Sequence, residues 1–400
     1  MVEIRGRRLR LAGAALGVAG VLVGISPAGR DAAAATASAP AVVSLSGVSA
    51  LSSSNAWAVG TWSRTGGSPW RSLIEHYTGG RWAIKASPNP GNDSNSLNAV
   101  AALSTTNAWA VGTYHTNGKS LKTLIEHWNG SAWKVQASPS PVTGNNTLSS
   151  VVATSPSNVW AVGNTLSTSG EQKTLIEHWN GRSWTVQHSP SPGSSSTLTA
   201  VAAVSRSNAW AVGYTDSSDG TSSKTLVEHW NGTSWQIQAS PNPSVQYNFL
   251  CGVAATSGTN AWTDGTYVQA GYQAPVMEHF NGQAWSVHAS ATQPPGYQYD
   301  PCAMAASSAS NIWAVGSHWH YSADQTLIEH WNGHSWKTQK SPNAATGNDD
   351  QNVLNGVTAM SATSAWAVGW SYVSGSGHRK ALIEHWNGSS WAMQSAAIPV

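Results

Sequence analysis

Charge is scarce in this 400-residue sequence: Asp, Glu, Lys and Arg together make up 10% of it, against about a quarter in an ordinary globular chain. Phe occurs only twice, and no stretch carries a helical period of Glu, Lys and Leu. These absences exclude helical bundles and coiled coils. The formal charge is +2, but Arg5, Arg7, Arg8, Arg10 and Arg30, with Glu3 and Asp31, all lie before residue 37, and the remainder holds 15 basic and 16 acidic residues without runs. Such a surface cannot supply the phosphate neutralisation that drives nucleic-acid binding, nor a polybasic patch for a membrane. Two cysteines are too few for a disulfide framework. One apolar run exists, Leu11 to Ile25, and no second follows.

That run, behind an Arg-rich start and ahead of Ala35-Thr36-Ala37, has the form of a secretory signal cleaved near Ala37. Its 15 residues fall short of the ~20 that a spanning helix needs, although an uncleaved anchor is the rival reading. Arg7-Arg8 points weakly to a twin-arginine route. The expectation is a leader over 1–37 and a secreted or cell-surface domain over 38–400, with no membrane span once the signal is removed.

What is abundant is Gly, Ser, Thr, Asn and, above all, Trp, with 23 copies. Ala-Trp-Ala-Val-Gly or a close variant recurs at Trp57, Trp109, Trp160, Trp210, Trp262, Trp313 and Trp366. A Glu-His pair follows each, at Glu75, Glu126, Glu177, Glu228, Glu278, Glu329 and Glu384, and a further Trp closes each unit, at Trp82, Trp133, Trp184, Trp235, Trp285, Trp336 and Trp391. Self-similarity at about fifty residues is the signature of a repeat architecture. Each unit reads as four short strands: A alternating, B carrying Trp-Ala-Val-Gly, C carrying Glu-His, and D opening at the closing Trp. The Asn-Gly between C and D, as at Asn129-Gly130, predicts a two-residue type I′ hairpin turn. Seven such units predict an all-β, seven-bladed β-propeller of four antiparallel strands per blade. The blades span about 43–90, 95–141, 146–192, 196–243, 248–292, 299–343 and 352–397. Each holds its own A to D in order, so no strand swap is expected at closure. A monomer is expected.

Spacing separates scaffold from binding face. The start of strand A precedes the strand B Trp by twelve residues in every unit, and Glu precedes the closing Trp by seven. The B-to-C and D-to-A connections vary in length, and in an up-and-down blade these two share one face of the disc. Variable loops on a rigid scaffold are where binding usually sits. Of the 23 Trp, 19 occupy repeat positions, while Trp62, Trp70, Trp319 and Trp370 fall in B-to-C segments. Units five and six are densest in aromatics that the repeat does not require: Tyr247, Phe249, Tyr267, Tyr272, Tyr297 and Tyr299 beside Asp300, then His318-Trp319-His320-Tyr321. Such a cluster suits stacking on sugar rings or anchoring a protein partner. Cys251 and Cys302 hold equivalent places in strand A of adjacent units, and in an exported protein a disulfide is the natural reading, with two free thiols the alternative.

Glu-His looks like an acid-base pair, but it occurs seven times and neighbouring strand residues point to opposite faces, so the pattern favours a structural role. No catalytic residue is assigned. A glycosidase pair could still assemble from Asp264, Asp300 and Asp324. His318 and His320, at i and i+2, lack a clear third ligand, so no metal and no cofactor is expected.

Leu-x-x-Val, then Trp-Ala-Val-Gly, then a hairpin closing Asn-Gly-x-x-Trp resembles the Asp-box propellers, including the photosystem II assembly factor-like group. It is also similar to the Trp-Asn-Gly repeat proteins among secreted bacterial propellers and, more loosely, to kelch and galactose oxidase-like domains. The resemblance covers about residues 41–395. Sialidases of that fold imply an Arg triad, and the galactose oxidase relatives a copper site of Tyr and His with a Tyr-Cys link; neither set has a matching motif here. The resemblance therefore implies the fold and not either activity. The function expected is a non-enzymatic binding scaffold for a carbohydrate or protein ligand, with a hydrolase or oxidase at the channel mouth, or a structural envelope role, as alternatives.

Overall fold

A computed structural model describes residues 42–64, 69–269, 271–291, 298–320 and 323–399. The expected leader lies outside them. The described chain holds 28 strands, from β1 (Val42–Ser52) to β28 (Trp391–Met393), and no helix. Consecutive strands pair antiparallel in seven groups of four, each in the order A, B, C, D. A single parallel pair, Gln172 with Ser195 and again Asp324 with Gln351, links the start of strand C in one unit to the start of strand A in the next.

The molecule is a β-propeller, and its units close on one another without a swapped strand. Val43 and Leu45 of the first unit share a core cluster with Trp366, Val368 and Ile383 of the last. Asn355 Nδ2 donates to the Leu45 carbonyl at 2.8 Å, and the Ala397 amide donates to Glu75 Oε2 at 2.9 Å.

The repeated residues explain why the units stack. Alternation along strand B sends Trp57 and Val59 toward the second unit, where they meet Leu97, Val100, Trp128 and Trp133. Ala56 and Ala58 face the other way. The seven strand B Trp are at most 2% exposed. Burying an indole removes roughly 150–250 Å² from water, about 4–6 kcal/mol at ~25 cal/mol per Å². His76 stacks on Trp57 with ring centroids 3.9 Å apart, and Trp133 meets that indole edge-on at 5.1 Å.

The register between strands A and B shifts twice in every unit, first after Leu45, Leu97, Leu148, Leu198, Leu250, Pro301 and Leu354, where strand A carries a bulge, and again at its end. The extra residue reaches the neighbouring strand A. Asn98 donates to the Leu148 carbonyl at 2.7 Å and Thr199 to the Leu250 carbonyl at 2.8 Å. In units five and six the extra residues are Cys251 and Cys302, joined as a disulfide with Cα atoms 4.7 Å apart. A covalent bond there replaces the hydrogen bond between strands A.

One local expectation is corrected. The C-to-D connection in unit two is a four-residue loop, because Trp128 pairs with Trp133. Only Gly130 takes a positive φ, 94°, while Asn129 Oδ1 accepts from the Ser131 and Ala132 amides. The asparagine therefore folds the loop through its side chain. A Cβ on Gly130 would meet Thr106 Cγ2 at 2.9 Å, so the close approach to the A-to-B turn also demands glycine. The two-residue hairpin occurs in unit one instead, where Thr78 pairs with Arg81 and both Gly79 and Gly80 have positive φ.

Candidate ligand-binding face

The Glu-His pairs are absorbed by the scaffold. All seven Glu are fully buried. Glu126 accepts from Ser87 Oγ at 3.1 Å on both oxygens, and Glu228 likewise from Ser189 at 3.0 Å. The donor in each case belongs to the preceding unit. Burial pushes the carboxyls up, to about 8 for Glu126, Glu177, Glu228, Glu278 and Glu384 and about 7 for Glu75. The histidines lie on the opposite side of strand C. His178 Nε2 meets Asn158 Oδ1 at 2.8 Å, and burial, aided by the Arg206 charge, lowers it to about 4. A neutral carboxyl and a neutral imidazole on opposite faces form no relay.

Unit five departs from this pattern. It comprises β17 (Asn248–Ser257), β18 (Asn260–Gln269), β19 (Tyr272–Phe280) and β20 (Trp285–His288); unit six follows with β21 (Gln298–Ser308), β22 (Asn311–His320), β23 (Ala323–Trp331) and β24 (Trp336–Thr338). Neither oxygen of Glu278 has a hydrogen-bond partner. Ser240, the counterpart of Ser189, meets Thr225 at 2.7 Å as Ser189 meets Thr174, but makes no bond to Glu278. Asp264 replaces the strand B valine and is fully buried, with neither carboxyl oxygen in a well-aligned hydrogen bond. Desolvation pushes it up to about 7; the nearby amides of Gly252 and Asp264 itself pull down, and the charges of Asp300 and Glu329 push up.

Strand pairing brings several of the expected aromatics to one end of units five and six. Asn248 opposes Tyr267, Gln269 opposes Tyr272, Gln298 opposes Trp319, and Tyr299 opposes His318. Tyr272 is 58% exposed, whereas Tyr247, Tyr267 and Trp319 are half-buried. Phe249 and Tyr299 are different: at 6% and 4% exposure they pack inside the sheet. Phe249 lies edge-on to Tyr214 at 4.9 Å, and Tyr299 stacks on His318 at 5.6 Å. Both thus lie beneath the half-exposed rings rather than among them. Tyr299 stands two residues before the bulge leucine position, where Asn95, Asn146, Asn248 and Asn352 are buried in the other units, so the repeat frame already marks it as scaffold. Tyr297 and Tyr321, and the side chain of His320, lie outside the described residues. Asp300 is half-buried, next to Tyr299. Asp324 sits at the start of strand C opposite Trp319. Asp264 is fully buried and so lies away from the loop face.

Two features escaped the sequence reading. The Arg379 guanidinium lies 3.9 Å over the Trp370 ring, covering an indole left only 6% exposed. A shallow groove of about 370 Å³ on the outer flank between units two and three is lined by Gln136 to Pro139, Trp179, Arg182, Ser183 and Trp184. Its walls are repeat positions, and only Arg182 distinguishes it in sequence.

No protein-family model and no curated protein matches the chain. Solved structures do. YCF48 bound to D1 peptide aligns with TM-score 0.50 at 13% identity, over 84% of this chain and 94% of that one. The propeller domain of the Trilobed protease from Pyrococcus furiosus, described as having an open velcro topology, aligns with TM-score 0.52 at 8% identity, over 90% and 96%. An ulvan lyase bound to a GlcA-Rha3S saccharide gives the same scores and coverage. The shared fold is the β-propeller. At such identities the likeness extends to the fold alone.

Proposed function

We propose that the protein is a non-enzymatic binding scaffold, recognising a glycan or a surface protein through the variable loop face of units five and six. The observation that carries this reading is the gathering of Tyr247, whose carbonyl accepts from the Val268 amide, with Tyr267, Tyr272 and Trp319 at one end of two covalently joined units. Part-exposed aromatic rings on a rigid frame bind sugars and peptides at low entropic cost. The involvement of the Glu-His pairs in inter-unit packing supports the same reading. A structure of this fold, YCF48, carries a peptide ligand. The finer elements of the proposal are a monomer of the seven-unit domain, exported by the leader over 1–37 and acting outside the cell or at its surface.

The test is a glycan and peptide array probed with residues 38–400, reading retained ligand and released product together. Retention without release, lost in Trp319→Ala, supports the reading. Release of product overturns it and directs attention to Asp300 and Asp324.

A further inference from the structure

Units five and six meet at their inner strands in a cluster that no other pair of units has among the described residues. One ligating atom each from Cys251, Cys302 and Asp300 lies within 4.8 Å of the others. Cys251 is buried, whereas Asp300 and Cys302 are partly exposed, so the cluster has a covered back and an open front. Behind it stands Asp264. Its Oδ1 presses on the side of Gly252 where a Cβ would sit, beside Cys251, and its charge is felt together with that of Asp300. Every other unit has valine at the place of Asp264. A fully buried carboxyl without an aligned hydrogen bond is destabilising, and packing gives no reason to keep it.

We propose that, in the dithiol state, Cys251, Cys302 and Asp300 bind a thiophilic divalent cation such as Zn²⁺, with Asp264 supplying buried negative charge next to it. The site and the disulfide exclude each other. A dithiol or phosphine reductant gives two electrons to the S–S bond, which breaks while each sulfur takes up a proton and the reductant is oxidised. The cation then displaces both thiol protons to solvent and gains two thiolates and a carboxylate, a soft donor set that selects Zn²⁺ or Co²⁺ over Ca²⁺ or Mg²⁺.

The test uses the full chain, reduced by a phosphine and titrated with Co²⁺. The expected result is one Co²⁺ per chain with a thiolate-to-cobalt charge-transfer band, displaced by Zn²⁺, and no band in the disulfide form. Asp300→Ala should weaken Co²⁺ at least tenfold. Asp264→Val, which installs the residue used by the other six units, should also weaken it while leaving the tryptophan near-ultraviolet circular dichroism native. The proposal is overturned by a reduced, folded chain without the band, by Co²⁺ affinity unchanged from the parent in Asp300→Ala or Asp264→Val, or by Co²⁺ binding to the disulfide form. Loss of the native dichroism on reduction overturns it equally, since the site requires a folded dithiol protein.

Discussion

Replacing Glu126 by Gln tests the idea that the repeated glutamates are neutral packing elements. Glu126 is fully buried and accepts from Ser87 Oγ, and burial pushes its carboxyl from 4.5 to about 8. A raised folded-state pKa means that its contribution to stability is complete below the unfolded value near 4.5. It is lost as pH rises toward and through the folded value. At pH 7 the unfolded chain is ionised at this residue and the folded one is not, so folding takes up a proton across about 2.5 pH units, a cost of about 3 kcal/mol; by pH 9 the loss approaches 5 kcal/mol. Gln keeps an acceptor for Ser87 and cannot titrate. Any cost of its second amide hydrogen is independent of pH and drops out of the comparison. The variant should therefore gain on the parent as pH rises, by about 3 kcal/mol between pH 4.5 and 7, which corresponds to roughly 4 °C in Tm for a domain of this size. The assay is thermal unfolding followed by tryptophan fluorescence at several pH values. A stability difference that does not change with pH would refute the reasoning.

Other consequences are sharper in direction. Ser189→Ala removes the hydroxyl that bonds both oxygens of Glu228 and should destabilise by about 1–3 kcal/mol in denaturant unfolding; no change would show that the bond is dispensable. Asp264→Val should stabilise by a similar amount at neutral pH, and the gain should shrink as pH falls from about 7 toward 4, because the parent carboxyl is raised to about 7; a destabilised variant contradicts this. Cys251→Ser opens a bond that spans 51 residues and should cost about 4 kcal/mol by the loop-entropy relation. An unchanged denaturation midpoint would mean that the neighbouring bulge contacts already fix the two strands.

The architecture was legible because three anchors recur at fixed distances: the strand B Trp, the Glu-His pair and the closing Trp define strands, faces and connections. The turn type was not, because Asn-Gly reads alike whether asparagine takes a positive φ or folds the loop through its carbonyl, as Asn129 does. The serine that serves Glu126, Glu177 and Glu228 recurs before a proline at Ser87, Ser138 and Ser189, so a signal for that bond existed; it lay 39 residues from its partner. At the proposed binding face, aromatic type alone did not distinguish Trp319 from Tyr299. Counting back from the bulge position does, since Tyr299 falls on a buried place of the frame. Asp264 was visible as a departure in the strand B motif, and the sealing of its carboxyl between two units emerged only with the packing of β18 against unit six.

The most direct test of the binding-scaffold reading is equilibrium binding of array-selected ligands to residues 38–400 and to Trp319→Ala, followed by calorimetry, with product release monitored in the same samples. The account predicts saturable binding without turnover, weakened at least tenfold by the substitution while the melting curve stays unchanged. Binding that is indifferent to Trp319, or ligand consumed during the titration, would contradict it.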